Sequence, residues 1–391
     1  MVFHPTHAKN RKMSVYLKMI VLVVFLSIQF TCNAQDEQSV SFTGQASAWA
    51  GLNDEKLVWT GARYIPQLNY KIQKKKNLID FEASANINGA LNFFNFDSLS
   101  ADANLKLYRF WARYSGEQIE LRLGLQKINF GSASMLRPLM WFDQVDPRDP
   151  LQLTDGVWAL LGRYYFLNNA NLWLWVLYPS DKPKTWELIK SNGSFPEFGG
   201  RFQQPLKKGE IAISFHQRIA DSRENAFELP IFDEILENRI GIDGKWDIGV
   251  GLWFEVAYIH KNKDLQLATN QLLANIGADY TFGLGNGLHV MVEQLAVTTG
   301  RKRIDLANGF AFSGLTISYP FSMFDNLNAI IYYDWSSRNT YNFISFQHKF
   351  NKIDMHLMGW WNPKQYLIPN QTVSGNMFAG KGFQLMLVYN H

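Results

Sequence analysis

Residues 119–126 read Ile-Glu-Leu-Arg-Leu-Gly-Leu-Gln. Ile119, Leu121, Leu123 and Leu125 fall on one face of an extended chain; Glu120, Arg122, Gly124 and Gln126 fall on the other. Side chains that alternate residue by residue mark a strand with two unlike environments. The pattern returns at Ile353–Trp361, where Ile353, Met355, Leu357 and Trp361 oppose Asp354, His356 and Met358. It returns over 272–282, with Asn275, Asp279 and Thr281 on the polar side, and again where Phe383, Leu385, Leu387 and Tyr389 oppose Gln384, Met386 and Asn390. Each run is about ten residues, the length a tilted strand needs to cross a bilayer.

Extended along the chain, the pattern places strands near 39–50, 61–72, 78–90, 103–114 and 119–130, and so on to 378–391, eighteen in all. Tight polar turns follow the even strands, at 74–77, 115–118, 168–169, 207–209, 247–249, 285–286 and 351–352. Longer, irregular segments follow nearly every odd strand. Short turns at one end and long loops at the other are the asymmetry of bacterial outer-membrane barrels. The fold class is therefore all-β: a transmembrane antiparallel up-and-down β-barrel of about 18 strands. A soluble sandwich or propeller would turn a charged face outward. Here the apolar face carries almost no charge, while the polar face carries Arg109, Arg113, Arg122, Arg163, Arg201 and Arg218.

Residues 1–34 read as a signal peptide. Lys9, Arg11, Lys12 and Lys18 precede the apolar run 19–30, too short for a membrane-spanning helix. Cys32 and Ala34 stand at the −3 and −1 positions of a cleavage site before Gln35. A lipoprotein reading would put the lipid on Cys32, but residues 29–31 fit a lipobox poorly. Taking those four basic residues from the 38 Lys and Arg leaves them equal to the 34 Asp and Glu, so the net charge of +4 belongs to the leader. That removes the argument for a nucleic-acid partner. The single cysteine leaves as well, and the remaining 35–391 barrel must hold by pairing and burial. Aromatic residues are 15% of the chain although its mean hydropathy is slightly negative. Both properties suit strands that face lipid on one side and water on the other.

A barrel of this size leaves an aqueous lumen. The longest connection, 131–155, holds Met135, Leu136, Leu139, Met140, Trp141 and Phe142, which need burial, and Arg137, Asp143, Asp146, Arg148, Asp149 and Asp155, which need partners. Both needs are met if it folds into the pore near Arg109, Arg113 and Arg122, as a constriction loop. Expected pore-lining residues are then Arg109, Arg113, Arg122, Gln126 and Arg163, with Arg137, Asp143, Asp146, Arg148 and Asp149 from the loop. An outer loop packed on its neighbours or on lipopolysaccharide is the plainer alternative. A calcium site at Asp143, Asp146, Asp149 and Asp155 is disfavoured, because the spacing fits no known loop motif and Arg137 and Arg148 stand ready as partners. On the wall, the arginines either form a ladder facing acids across the pore or pair with Asp80, Glu82, Glu120, Asp243, Glu255, Asp279, Glu293 and Asp334. The tryptophans and tyrosines at 173, 175, 178, 332, 333, 335, 360 and 361 are assigned to interface girdles, with Trp111 and Trp158 as an alternative sugar slide.

The segment Leu121-Arg122-Leu123-Gly124-Leu125-Gln126, with Asn129-Phe130-Gly131 and the Asp/Pro-rich 143–150, resembles the R-x-G-x-Q strand-and-loop pattern of porin-like barrels of the alginate-export and phosphate-selective type. The resemblance covers about 40 residues. It implies a passive channel with Arg122 and Gln126 facing the lumen. The 131–155 segment has no lysine, unlike the constriction the phosphate-selective group implies.

The mature histidines are scattered, no H-E-x-x-H occurs, and Gly283 to Gly287 is a turn, so a barrel enzyme is the weakest reading. No cofactor or metal is expected. The reading that follows is a porin-like channel of the Gram-negative outer membrane for small polar or anionic solutes or oligosaccharides. Its expected partners are outer-membrane lipids and lipopolysaccharide, a small polar solute and, in a homo-oligomer, further copies. The alternative is a structural or interaction barrel of an envelope assembly, plugged by its loops.

Overall fold

The computed structural model describes residues 37–55, 57–94, 98–224, 229–305, 307–364 and 378–391. The signal-peptide reading, with cleavage after Ala34 and the Cys32 alternative, lies outside them. The strands are β1 (Glu37–Asn53), β2 (Leu57–Lys74), β3 (Asn77–Phe94), β4 (Ser98–Ser115), β5 (Ile119–Gln126), β6 (Val157–Tyr165), β7 (Asn171–Leu177), β8 (Lys190–Ser191), β9 (Glu197–Leu206), β10 (Gly209–Asp221), β11 (Ile235–Asp247), β12 (Gly251–Lys261), β13 (Asn270–Phe282), β14 (Leu288–Gly300), β15 (Gly309–Pro320), β16 (Asp325–Asp334), β17 (Asn339–Lys349), β18 (Ile353–Trp361) and β19 (Lys381–Asn390). β8 is a two-residue strand in a loop, paired with the end of β10. The other eighteen described strands form one antiparallel wall, in which β7 pairs with β9 and β19 closes on β1. Closure gives each of these strands two neighbours, so that backbone groups pair within the wall as a membrane-embedded sheet requires, although the upper part of β4 is paired on one side only.

The alternation sets the two faces. In β5 the outward Leu123 is 62% exposed, while the inward Gln126 is fully buried. Gln126 Nε2 donates to the carbonyls of Ala159 (2.9 Å) and Arg122 (3.2 Å). β5 stops there, short of the expected 130. One more step of the alternation would set Lys127 on the lipid face, where a charge is costly. The chain turns inward instead, and Ile128 and Phe130 are buried.

Two expectations are corrected. The segments 51–60 and 91–102, read as long loops, are mostly strand: β1 runs to Asn53, β2 starts at Leu57, β3 runs to Phe94 and β4 starts at Ser98. Trp59 supports this extension, buried against Trp360 with its indole N–H donating to Gln384 Oε1 at 2.8 Å. The girdle assignment holds only for outward aromatics such as Trp335 and Trp361, both exposed. Trp175, Tyr332 and Trp360 are buried on the inner face, in one apolar cluster with the loop after β5; Trp173 packs against that cluster. Of the two aromatics weighed as a sugar slide, Trp158 lies opposite the outward Leu125 and faces away from the lumen.

Candidate functional site

The segment between β5 and β6 crosses the lumen. Its first half, 131–142, lands on the acidic side of the wall. The N–H groups of Ala133 and Leu139 donate to the two oxygens of Glu255 at 2.7 and 3.1 Å. Those of Ser134, Met135 and Leu136 donate to Glu293 at 2.7, 3.1 and 2.7 Å. Asn275 Nδ2 returns a bond to the Leu136 carbonyl at 2.8 Å. Two wall carboxylates thus satisfy five backbone donors, by charge-assisted bonds that stay strong away from water. The apolar side chains of this half close the gap between the loop and the wall. Leu136, Leu139 and Trp141 are 1% exposed, and Phe130 stacks on Trp175 at 5.6 Å. Gly241 makes room, since a Cβ there would lie 2.4 Å from Leu139 Cδ2.

The second half, 143–156, is tied differently. Arg137 pairs with Asp143 at 3.2 Å and also donates to Asn129 and the Phe130 carbonyl. Arg148 pairs with Asp146 at 2.7 Å and lies over the rings of Phe343 and Phe378. Asp149 accepts the N–H groups of Leu151 and Leu153 at 3.0 and 3.1 Å. Burial still holds its carboxyl above the ordinary value, with those two bonds and Arg63 opposing. Burial likewise lowers the Lys127 ammonium from its usual range. A neighbouring loop locks on top: Trp186 Nε1 donates to the Arg137 carbonyl at 2.9 Å and Thr185 Oγ1 to that of Asp143 at 2.8 Å.

The expected charge pairing between loop acids and wall arginines is therefore corrected. Asp143 and Asp146 take arginines of their own loop, and Asp149 takes backbone. Among the described residues, Asp155 alone of the loop acids pairs with a wall cation, Lys106 Nζ at 2.5 Å. Arg109 meets the loop through a carbonyl instead, Thr154 O at 3.0 Å. Arg113 is held by Asp80 in a two-point pair at 2.9 and 2.6 Å. Arg122 and Arg163 share Glu120 at 3.3 and 3.4 Å, stacked over Trp111 and Trp173 respectively. Arg201 pairs with Asp243 at 2.5 Å and Arg218 with Glu237 at 2.7 Å. Asp80–Arg113, Glu120–Arg163 and Arg218–Glu237 are directly opposite residues of neighbouring strands, the ordinary cross-strand arrangement.

The sequence reading missed a buried ionic cluster under the loop 178–196. Glu187 of that loop bonds Arg218 (3.2 Å) and Arg239 (2.6 Å), and Glu237 adds Arg239 and Lys261. Glu237, Arg239 and Lys261 sit on inward positions and were legible from the alternation. Glu187 lies in an irregular loop and carried no such signal.

Glu255 and Glu293 are covered by the loop, while Arg63, Arg113, Arg122 and Arg163, on β2 and β4–β6, stay half-buried, with Glu82 of β3 half-buried among them. Arg63 makes no ion pair among the described residues.

No protein-family model and no curated protein sequence matches the chain. Solved structures do match in fold. OccD3 (OpdP) of Pseudomonas aeruginosa superposes with a TM-score of 0.56 at 10% identity, over 93% of this chain and 95% of that one. OccK5 (OpdH) of the same organism gives 0.55 at 10% identity, over 90% and 98%. OccAB4 of Acinetobacter baumannii gives 0.54 at 10% identity, over 92% and 100%. At such identity the likeness is one of fold, and the fold is that of the outer-membrane porins: a closed antiparallel barrel of eighteen strands.

Proposed function

We propose that this chain is an outer-membrane channel for passive diffusion of small polar solutes, with a preference for anions. The loop 131–155 narrows the lumen, and the remaining path runs along the basic wall of β2 and β4–β6. The observation that carries this reading is the unequal exposure of the two charge sets. The loop's backbone N–H groups cap Glu255 and Glu293, which are 0% and 3% exposed, whereas the side chains of Arg113 and Arg163 keep 25% and 18%. A solute would thus meet cations in a narrow space walled by protein, which focuses their field. Arg109, Arg122 and Arg63 belong to the same wall. Gln126, Arg137, Asp143, Asp146, Arg148 and Asp149 act by holding the loop in place.

The test is planar-bilayer recording under a salt gradient. The reading expects open channels whose reversal potential favours anions, and a shift toward cations in Arg122→Glu/Arg163→Glu. Cation selectivity in the unmodified protein would overturn the anionic part. One observation favours a second reading, a structural barrel closed by its loops: the loop and the inner walls of β2, β6, β7 and β12–β18 form one continuous apolar cluster. Absence of conductance in correctly inserted protein would put that reading first. Export through the signal segment, cleavage after Ala34 and insertion among outer-membrane lipids belong to the channel reading. Mass spectrometry showing Gln35 as the first residue of the mature chain is the expected result.

A further inference from the structure

β4 outruns its neighbour. It pairs with β5 only from Phe110 onward, so among the described residues its upper part, 98–109, has β3 alone as a partner. β5, β6 and β7 are short, and the wall is notched where they end. A cleft of about 760 Å³ lies in this notch, between the β4 edge, the start of β6 with the residues before it, the loop at 178–184 and the segment 190–193 that holds β8.

Its lining is of two kinds. Leu107, Leu125 and Trp158 contribute an apolar floor. All three hold lipid-facing register: Leu125 lies opposite Trp158, and Leu107 opposite Ala85. Trp158 and Leu107 are exposed, and Tyr178 stands at the edge, 71% exposed. The rim is cationic. Asp155 is taken by Lys106, and Asp221 by Arg223 at 2.5 Å. Lys190 pairs with Glu224 at 2.6 Å. That leaves Asp181 as the third acid of the lining, against Lys182 and Lys184, which make no ion pair among the described residues. The cleft therefore brings Lys182 and Lys184 into one lining with an apolar floor that holds lipid-facing register.

We propose that this notch binds a phosphorylated amphiphile of the outer leaflet, its phosphate held by Lys182 and Lys184 and its acyl chain lying on Leu107, Leu125 and Trp158. A lysine ammonium serves a phosphate as a point charge, and basic pockets beside an apolar surface hold lipid head groups. A free phosphorylated solute would use the lysines but leave the floor uncovered, so the floor assigns the site to a lipid. The site lies outside the pore and does not depend on conduction.

The experiment is native mass spectrometry of the full chain in detergent, with three probes: diphosphorylated lipid A, its dephosphorylated counterpart and inorganic phosphate alone. The expected result is retention of diphosphorylated lipid A, with affinity falling about tenfold for the dephosphorylated form and for Lys182→Glu/Lys184→Glu. Leu107→Ser, which leaves the lysines intact, is expected to weaken lipid A and leave inorganic phosphate unaffected. Heat-modifiable migration on gels establishes that each variant is folded. Equal binding of the two lipid A forms, or unchanged binding by the lysine variant, would overturn the site. Competition by inorganic phosphate at the affinity of lipid A would overturn the amphiphile and leave a simple anion site. None of these readouts measures current, so failure here is distinct from failure of the channel reading.

Discussion

Glu293, on β14, accepts the backbone N–H of Leu136 at 2.7 Å, a bond between residues 157 positions apart in the chain. The same carboxylate takes Ser134 and Met135, and receives Trp253 Nε1 at 3.2 Å. With Glu255, it fixes the loop to the far wall.

Glu293→Gln is expected to loosen that fixation. An amide offers one acceptor oxygen where the carboxylate offers two, and its NH2 would confront backbone donors. Losing hydrogen bonds to a charged group costs about 1.5–3 kcal/mol each. Hydrogen exchange at residues 134–136 should accelerate while exchange in the barrel strands does not. Unchanged exchange in the loop would mean that packing, not Glu293, holds it.

Gly241→Val tests the packing directly. The loop's Leu139 and Trp141 approach to 2.4 and 3.2 Å of where a Cβ would stand. Overpacking of this kind costs about 1–3 kcal/mol. The expected outcome is a noisier single-channel current, or cleavage of the loop by added trypsin, in a barrel that still folds and inserts. A quiet, protease-resistant channel would show that the loop can shift at little cost.

Deleting 140–150 removes the end of the first half of the loop and most of the second, outside the paired residues of β5 and β6. Single-channel conductance should rise and ion selectivity should weaken. Unchanged conductance in a folded barrel would show that the loop does not set the pore's width, and would favour the structural reading.

Leu123→Arg addresses the faces of the wall. Leu123 is 62% exposed on the outer surface. An arginine near the bilayer midplane there should destabilise the barrel by about 2–4 kcal/mol, seen as a lower urea midpoint for unfolding from lipid vesicles. Arg122→Leu, one residue along and facing inward, should leave the lipid contact unaltered. An equal effect of both would contradict the assigned alternation.

What the sequence determined by itself was everything governed by neighbours along the chain. Alternation at 119–126 distinguished the lipid side from the lumen side, because a pleat turns successive side chains to opposite faces. Turn chemistry separated the two ends of the barrel, and the apolar and acidic content of 131–155 pointed to a loop that could not lie in water. Only the tertiary structure decided which groups met. Asp143 and Asp146 pair with Arg137 and Arg148 of their own loop, the partners that the sequence offered, and not with the wall arginines that it also offered. Glu255 and Glu293, which the sequence offered only as wall acids, became the loop's anchors. That role depends on barrel curvature carrying β12 and β14 across from β5, over separations of more than a hundred residues that no local pattern encodes. The same distance effect turned Trp175 and Trp360 from expected girdle residues into lumen packing. An aromatic on a strand reads alike in sequence whether it meets lipid or a folded-in loop, and only closure of the barrel selects between them.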